Sequence, residues 1–196
     1  MRFLLGVDEA GRGPLAGPVA VGVVAVPEGF DVAAEFPGVA DSKALSEKKR
    51  ERIFEMLEAR AGSAGAGSMA FTVEMGSAAE IDERGIAVVI RELVARGVRT
   101  LAPEAGQAYV RLDGSLKAPE EYAQETIIGG DASVPLISLA SIAAKVSRDR
   151  LMHSLAKEYP HYGFEKHKGY GTRAHYAALA AHGLSSVHRR TFIHLG

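Results

Sequence analysis

The chain opens with an apolar run, Phe3-Leu4-Leu5-Gly6-Val7, that stops on two adjacent carboxylates, Asp8 and Glu9. Such a run reads as a buried strand. A carboxylate at the end of a buried strand needs a compensating charge, because burying an unpaired charge is costly. The usual compensators are a metal ion or a basic side chain. Gly11-Arg12-Gly13-Pro14 follows at once, and its glycines leave bare backbone that can approach a substrate closely. The start of the chain therefore points to a metal site beside a site that reads a polyanion.

A second apolar run, Val19 to Val26, is bounded by Pro18 and Pro27 and is of strand length, too short to cross a membrane. Ser46 is placed to cap a helix whose apolar face is Ile53, Phe54 and Leu57. Residues 61–68 form a low-complexity connector. Further strands are predicted at Ala70–Glu74, at the alternating Tyr109–Asp113 and at Thr126–Ile128. Helices are predicted over Asp82–Ala95 with Gly97 at the end, over about Ile137–Lys157 before Pro160, and over Arg173–Ala181. Early strands with later helices indicate one mixed α/β domain spanning residues 1–196.

The chain has no cysteine, so thiolate metal sites and disulfides are excluded and any metal must take oxygen or imidazole ligands. The seven histidines show no metal-ligand spacing; His175 and His182 share a helix face, with surface roles expected. Absence of cysteine fits a cytoplasmic protein. The acidic pair after the first apolar run is unlike a signal peptide, and the chain reads as soluble and unprocessed. The net charge of −1 conceals an asymmetry. Residues 145–196 carry nine Lys/Arg against three Asp/Glu, a net +6, and residues 1–144 carry 14 against 21, a net −7. A basic C-terminal third suits a phosphate-backbone partner, or is simply a solvated basic face.

Four acids stand where chain direction changes. Asp8 and Glu9 end the first strand, Asp113 ends the Tyr109–Leu112 strand, and Asp131 follows Gly129-Gly130 ahead of the long helix. Any one of them alone reads equally as a turn cap or a solvated acid. Carboxylates at the ends of neighbouring strands converge, and they repel unless cations neutralise them. Oxygen-only ligation suits Mg²⁺ or Mn²⁺. Two such ions about 3.5–4 Å apart clamp the attacking and leaving oxygens of a phosphodiester. Adjacent strand residues point to opposite faces, so Asp8 and Glu9 cannot both aim inward unless the strand ends or bulges there, or one acts through its carbonyl.

The glycine cluster is neither G-x-G-x-x-G nor a Walker loop, and a β-rich run follows it. It reads as a tight hairpin turn, or as backbone touching a sugar edge while Arg12 meets a phosphate. Ser42, Lys43 and the free amides of the first helix could hold a phosphate, or merely cap the helix. Ser141, Lys145 and Arg148 share one face of the long helix. Lys166-His167-Lys168-Gly169-Tyr170-Gly171 puts an aromatic between glycines in a basic loop, where it can stack on a sugar or base or else anchor a turn.

DEAGRGPLAGPV (8–19), DSKALSEKKRE (41–51), LDGS (112–115), GGDASVPLISLASIAAKVSRDR (129–150), HKGYGT (167–172) and HGLSSVHRRTF (182–192) resemble, in order, the motifs of the bacterial ribonuclease HII family of type 2 ribonucleases H. The resemblance implies a ribonuclease H-like fold: a central mixed sheet flanked by helices, with a helical subregion from about residue 150 bordering the substrate groove. It implies hydrolysis of the RNA strand of RNA–DNA hybrids and cleavage 5′ of single ribonucleotides in duplex DNA, leaving a 3′-hydroxyl and a 5′-phosphate. It makes Asp8, Glu9, Asp113 and Asp131 the catalytic metal-site acids, holding two Mg²⁺ or Mn²⁺ ions. Gly11, Arg12 and Gly13 would read the ribose 2′-hydroxyl, and Tyr170 would pack on the sugar at the RNA-to-DNA junction. Ser42, Lys43, Lys145, Arg148, Lys166 and Lys168, from the helix start, the helix face and the basic loop read above, are taken as further substrate contacts. The chain departs from the family at Gly85, where Asn is frequent, and it stops soon after Phe192, so no tail for clamp binding is expected. Nothing in the sequence suggests an obligate interface or a protein partner, and a monomer is expected. Two other readings remain: another two-metal phosphodiesterase of the same fold, and a non-catalytic hybrid-binding module.

Overall fold

In the computed structural model, residues 2–39, 45–62 and 68–194 are described. Five strands form one sheet: β1 (Phe3–Ala10), β2 (Val19–Pro27), β3 (Ala70–Gly76), β4 (Ala108–Asp113) and β5 (Ala123–Ile127), in the order β3-β2-β1-β4-β5. The β3-β2-β1 half is antiparallel, whereas β4 and β5 run parallel to β1. The sheet is therefore mixed, and the carboxyl ends of β1 and β4 lie side by side.

The helices are α1 (Val32–Glu35), α2 (Glu47–Gly62), α3 (Ala78–Arg84), α4 (Ile86–Leu101), α5 (Gly130–Ser133), α6 (Pro135–Glu158), α7 (Phe164–His167) and α8 (Arg173–His182). Side-chain alternation in β1 sends Leu5 and Val7 into a core with α4, including Val89, Leu93 and Val98. Gly6 faces the opposite layer, where α6 crosses. A Cβ on Gly6 would lie 2.4 Å from the Leu136 carbonyl oxygen, and one on Gly22 would lie 2.2 Å from that of Ala140. These two glycines let α6 lie directly on the sheet; Gly22→Ala would force backbone apart. The second core fills this layer with Val24, Phe36, Leu57, Leu139 and Ile142. Truncating a side chain such as Leu139 to Ala would cost about 2–5 kcal/mol.

The element order follows the sequence reading, with two corrections. The helix expected over Asp82–Ala95 is two helices. Ser77 caps α3 through a reciprocal box with Glu80, and the chain turns at Gly85 before α4. The S-x-x-E signal was present in Ser77–Glu80. Gly97 does not end α4. It lies mid-helix where a Cβ would stand 2.7 Å from Val23, so it marks close packing on β2. After α6 the chain builds a third apolar cluster around Leu15, Met152, Tyr162, Phe164 and Leu179. Asp82 ties the last segment back to α3 by accepting from the amides of Arg190 and Thr191. Among the described residues no helix is long and apolar enough to cross a membrane.

Candidate active site

β1 continues straight past both leading acids, pairing Asp8 with Gly22 and Glu9 with Val21. The strand neither stops nor bulges, so the two side chains leave opposite faces. Asp8 turns toward α6, whose Ser141 hydroxyl favours its charged form, and its carboxylate accepts from the Glu9 amide at 2.7 Å. β4, the parallel neighbour, ends on Asp113. α5, which follows β5, carries Asp131, whose amide donates to the Asp113 carboxylate at 3.2 Å. Asp8, Asp113 and Asp131 thus offer oxygens that all lie within 4.8 Å of one another. Glu9 stands outside this triad; it pairs with Arg12 at 2.8 Å, yet the Asp113 charge still reaches it.

Asp8 and Asp131 are buried. Burial pushes the Asp8 carboxyl up to about 7, with Glu9 and Asp113 adding like-charge repulsion and Ser141 opposing it. Glu9 is also raised by burial, against the pull of Arg12. Neighbouring cations are engaged elsewhere: Arg12 with Glu9, and Lys145 with Asp149 at 2.7 Å. A cluster of oxygen ligands with this much unrelieved repulsion fits a hard divalent cation.

A cavity of 440 Å³ opens beside the triad, lined by Glu9, the Gly11-Arg12-Gly13 loop, Ser141, Lys145 and Tyr170. Its wall also includes Arg50, which the sequence reading passed over; Arg50 donates to the Leu45 carbonyl at the start of α2. Gly11 has φ +87°, and a Cβ there would sit 2.1 Å from the Arg148 guanidinium, so only glycine fits. Tyr170 is 46% exposed and faces Gly13 across the cavity.

Arg148 overturns an expectation. It is not at the cavity surface but fully buried, donating to the carbonyls of Ala16, Pro18 and Lys168. It shares a helix face with Ser141 and Lys145, but that face runs from the site down into the third cluster. Arg148 therefore joins the Gly-Arg-Gly loop to the Tyr170 loop. Arg189, from the far end of the chain, secures the Gly-Arg-Gly side alone, donating to Gly11 at 2.7 Å, Arg12 at 3.0 Å and Gly17 at 2.9 Å. No periodicity in the sequence flags it; only the adjacent pair Arg189-Arg190 hints at a role.

His175, expected at the surface, is buried as well. The Ser185 amide donates to His188 Nδ1, so neutral His188 carries its proton on Nε2 and donates to His175 Nε2 at 3.0 Å. His175 Nδ1 then donates to the Tyr170 carbonyl at 3.0 Å. This chain pins the backbone of the Tyr170 loop. His182 stays exposed. Lys168 places its ammonium at the Glu165 carbonyl and near Glu47 and does not line the cavity, and Lys166 is exposed. Ser42 and Lys43 lie outside the described residues.

The profile of the family described as Ribonuclease HII matches residues 5–195. Relatives named ribonuclease HII from Bacillus cereus (strain Q1) and Geobacillus kaustophilus (strain HTA426) are each 42% identical over 192 residues. These matches cover 98% of this chain and 69% and 68% of those proteins. The crystal structure of ribonuclease H2 from Pyrococcus horikoshii OT3 superposes with a TM-score of 0.76 at 26% identity, over 96% of this chain and 93% of that one.

Proposed function

The chain belongs to the ribonuclease HII family, which makes it a metal-dependent hydrolase of the ribonuclease H kind, and from that premise we propose that it cuts the RNA strand of RNA–DNA hybrids and cleaves 5′ of single ribonucleotides embedded in duplex DNA. The observation that carries this reading is the convergence of Asp8, Asp113 and Asp131 beside a cavity that also holds Gly11-Arg12-Gly13 and Tyr170.

Asp8, Asp113 and Asp131 hold the divalent ions, with Glu9 at the margin of the group. When bound, two Mg²⁺ or Mn²⁺ ions supply Lewis-acid stabilisation of the attacking and leaving oxygens. The Ser141 hydroxyl favours the ionised form of Asp8. The backbone of Gly11 and Gly13 meets the ribose 2′-hydroxyl, the group that separates RNA from DNA. Arg12 and Lys145, which line the cavity, exchange their carboxylate partners Glu9 and Asp149 for the phosphate. Tyr170 packs against the sugar on the far side of the junction. Hydrolysis leaves a 3′-hydroxyl and a 5′-phosphate.

The test is cleavage of three duplexes with and without Mg²⁺ or Mn²⁺: an RNA–DNA hybrid, a DNA duplex with one ribonucleotide, and its all-DNA counterpart. Metal-dependent cutting of the first two and not the third is expected. Cutting of the all-DNA duplex would make the protein a general two-metal phosphodiesterase, and binding without cutting would make it a hybrid-binding module.

A further inference from the structure

A second cleft, of 300 Å³, adjoins the first. Arg12 lines both. The rest of its polar wall is Arg91 from α4 with Ser115 and Lys117 from the turn after β4, over an apolar floor that includes Ile90 and Leu116. Ser115 and Lys117 follow Asp113 by two and four residues, so this turn leaves the acid triad directly.

The cations here differ from others nearby. Arg84, Arg96 and Arg99, on α3 and α4, each meet a glutamate: Arg84 meets Glu80, Arg96 meets Glu74 and Arg99 meets Glu121. Arg91 and Lys117 make no ion pair or side-chain hydrogen bond among the described residues. They flank a cleft, share its rim with Arg12, and lie in the part of the sequence whose net charge is negative. Arg91 and Lys117, exposed and without a counter-ion beside an Arg12 already paired with Glu9, favour an anion brought from outside. The nearest anion that must be present is the substrate itself.

We propose that this cleft holds backbone phosphates of the substrate duplex away from the scissile bond, on the α4 side of the acids. Arg91 and Lys117 are substrate-positioning residues, and Ser115 supplies a hydroxyl donor. Arg12 lines both clefts, so the cationic rim of the first continues into the second, and cations there offset the repulsion that the acid triad exerts on a polyanion. The inference rests on the function proposed above.

The double variant Arg91→Ala/Lys117→Ala is compared with wild type and with Arg99→Ala, which removes a paired cation from the same helix. All three are assayed with Mg²⁺ on the single-ribonucleotide duplex over a salt series. Wild-type cleavage checks the proposed function independently. The double variant is expected to raise KM by about 10-fold or more, to leave kcat unchanged, and to flatten the salt dependence by about 2 units, one for each phosphate contact. Arg99→Ala should match wild type. An unchanged slope in the double variant, or an equal change in Arg99→Ala, would overturn the proposal. Neutral methylphosphonate linkages placed in the cut strand or in its complement then identify which backbone sits in the cleft. The arm that abolishes the difference between wild type and double variant names the strand, and failure of both arms overturns the assignment.

Discussion

Two buried polar clusters lie close together in this molecule, and they are built on opposite terms. The acid triad gathers like charges: burial raises Asp8 to about 7, and its neighbours are carboxylates. The cluster behind the Tyr170 loop gathers Arg148, Arg189, His175 and His188, all buried, and gives them fixed neutral partners. Burial lowers Arg189 to about 9 and His188 to about 4, yet each is held by carbonyls or by a defined ring tautomer. The first cluster is left electrostatically open, which suits a site that a metal must complete. The second is closed by the fold and sets the shape of the loops that line the cavity.

The sharpest way to break this contrast is Asp131→Asn. The isosteric amide keeps the shape and removes a ligand charge, so cleavage should fall by about 10³-fold while circular dichroism shows an intact fold. Near-wild-type turnover would remove the triad from the chemistry. Arg189→Met tests the other cluster. It strips three backbone carbonyls of their donor, and urea denaturation should show a loss of about 3–4 kcal/mol. Arg12→Met, at an exposed ion pair, should cost under about 1 kcal/mol of stability.

The pH dependence of metal-free stability separates the clusters by sign. Folded Asp8 keeps its proton up to about 7, whereas the unfolded residue loses it near 3.8, so its contribution falls as pH rises through that window. Folded His188 stays neutral down to about 4, whereas the unfolded residue protonates near 6.5, so its contribution rises with pH across 4–6.5. The two slopes oppose each other in wild type. Asp8→Asn should therefore leave a stability that climbs from pH 4.5 to 6.5, and its metal-free form at pH 8 should exceed wild type by a few kcal/mol. Denaturant midpoints at each pH read this out, and a falling curve in Asp8→Asn would contradict the assignment of the slopes. Saturating Mg²⁺ should stabilise wild type more than Asp8→Asn.

The effect on turnover is smaller at Tyr170 than at Asp131. Loss of its ring should cost about 10- to 100-fold in kcat/KM on a single embedded ribonucleotide and less on a long hybrid, with Tyr170→Phe close to wild type. Equal losses on both substrates in Tyr170→Ala would make the residue part of the loop scaffold and not a junction reader.

Much of this was legible in the chain. The apolar runs at Phe3–Val7 and Val19–Val26 are both strands, although β1 extends through the acids to Ala10 because pairing with β2 stays favourable while Glu9 reaches Arg12. Asp8, Asp113 and Asp131 read as a converging set because each ends or follows a strand, and strand order alone then brings them together. The Gly-Arg-Gly loop and Tyr170 read as neighbours of that set from their chemistry.

What the sequence determined by itself was local: which segments extend or coil, where they stop, and which residue types could bind a cation or a phosphate. What only the tertiary structure decided was which cations face the solvent. Arg148 and Lys145 share a helix face, yet one lines the cavity and the other is sealed beneath it. Arg189 reaches Gly11 across 178 positions of chain, and Arg148 reaches Ala16 across 132. Arg91 and Lys117 meet in one cleft from separate elements. A long flexible cationic side chain has no strong local preference, so its partner is set by whichever carbonyl, carboxylate or opening the packed elements place within reach.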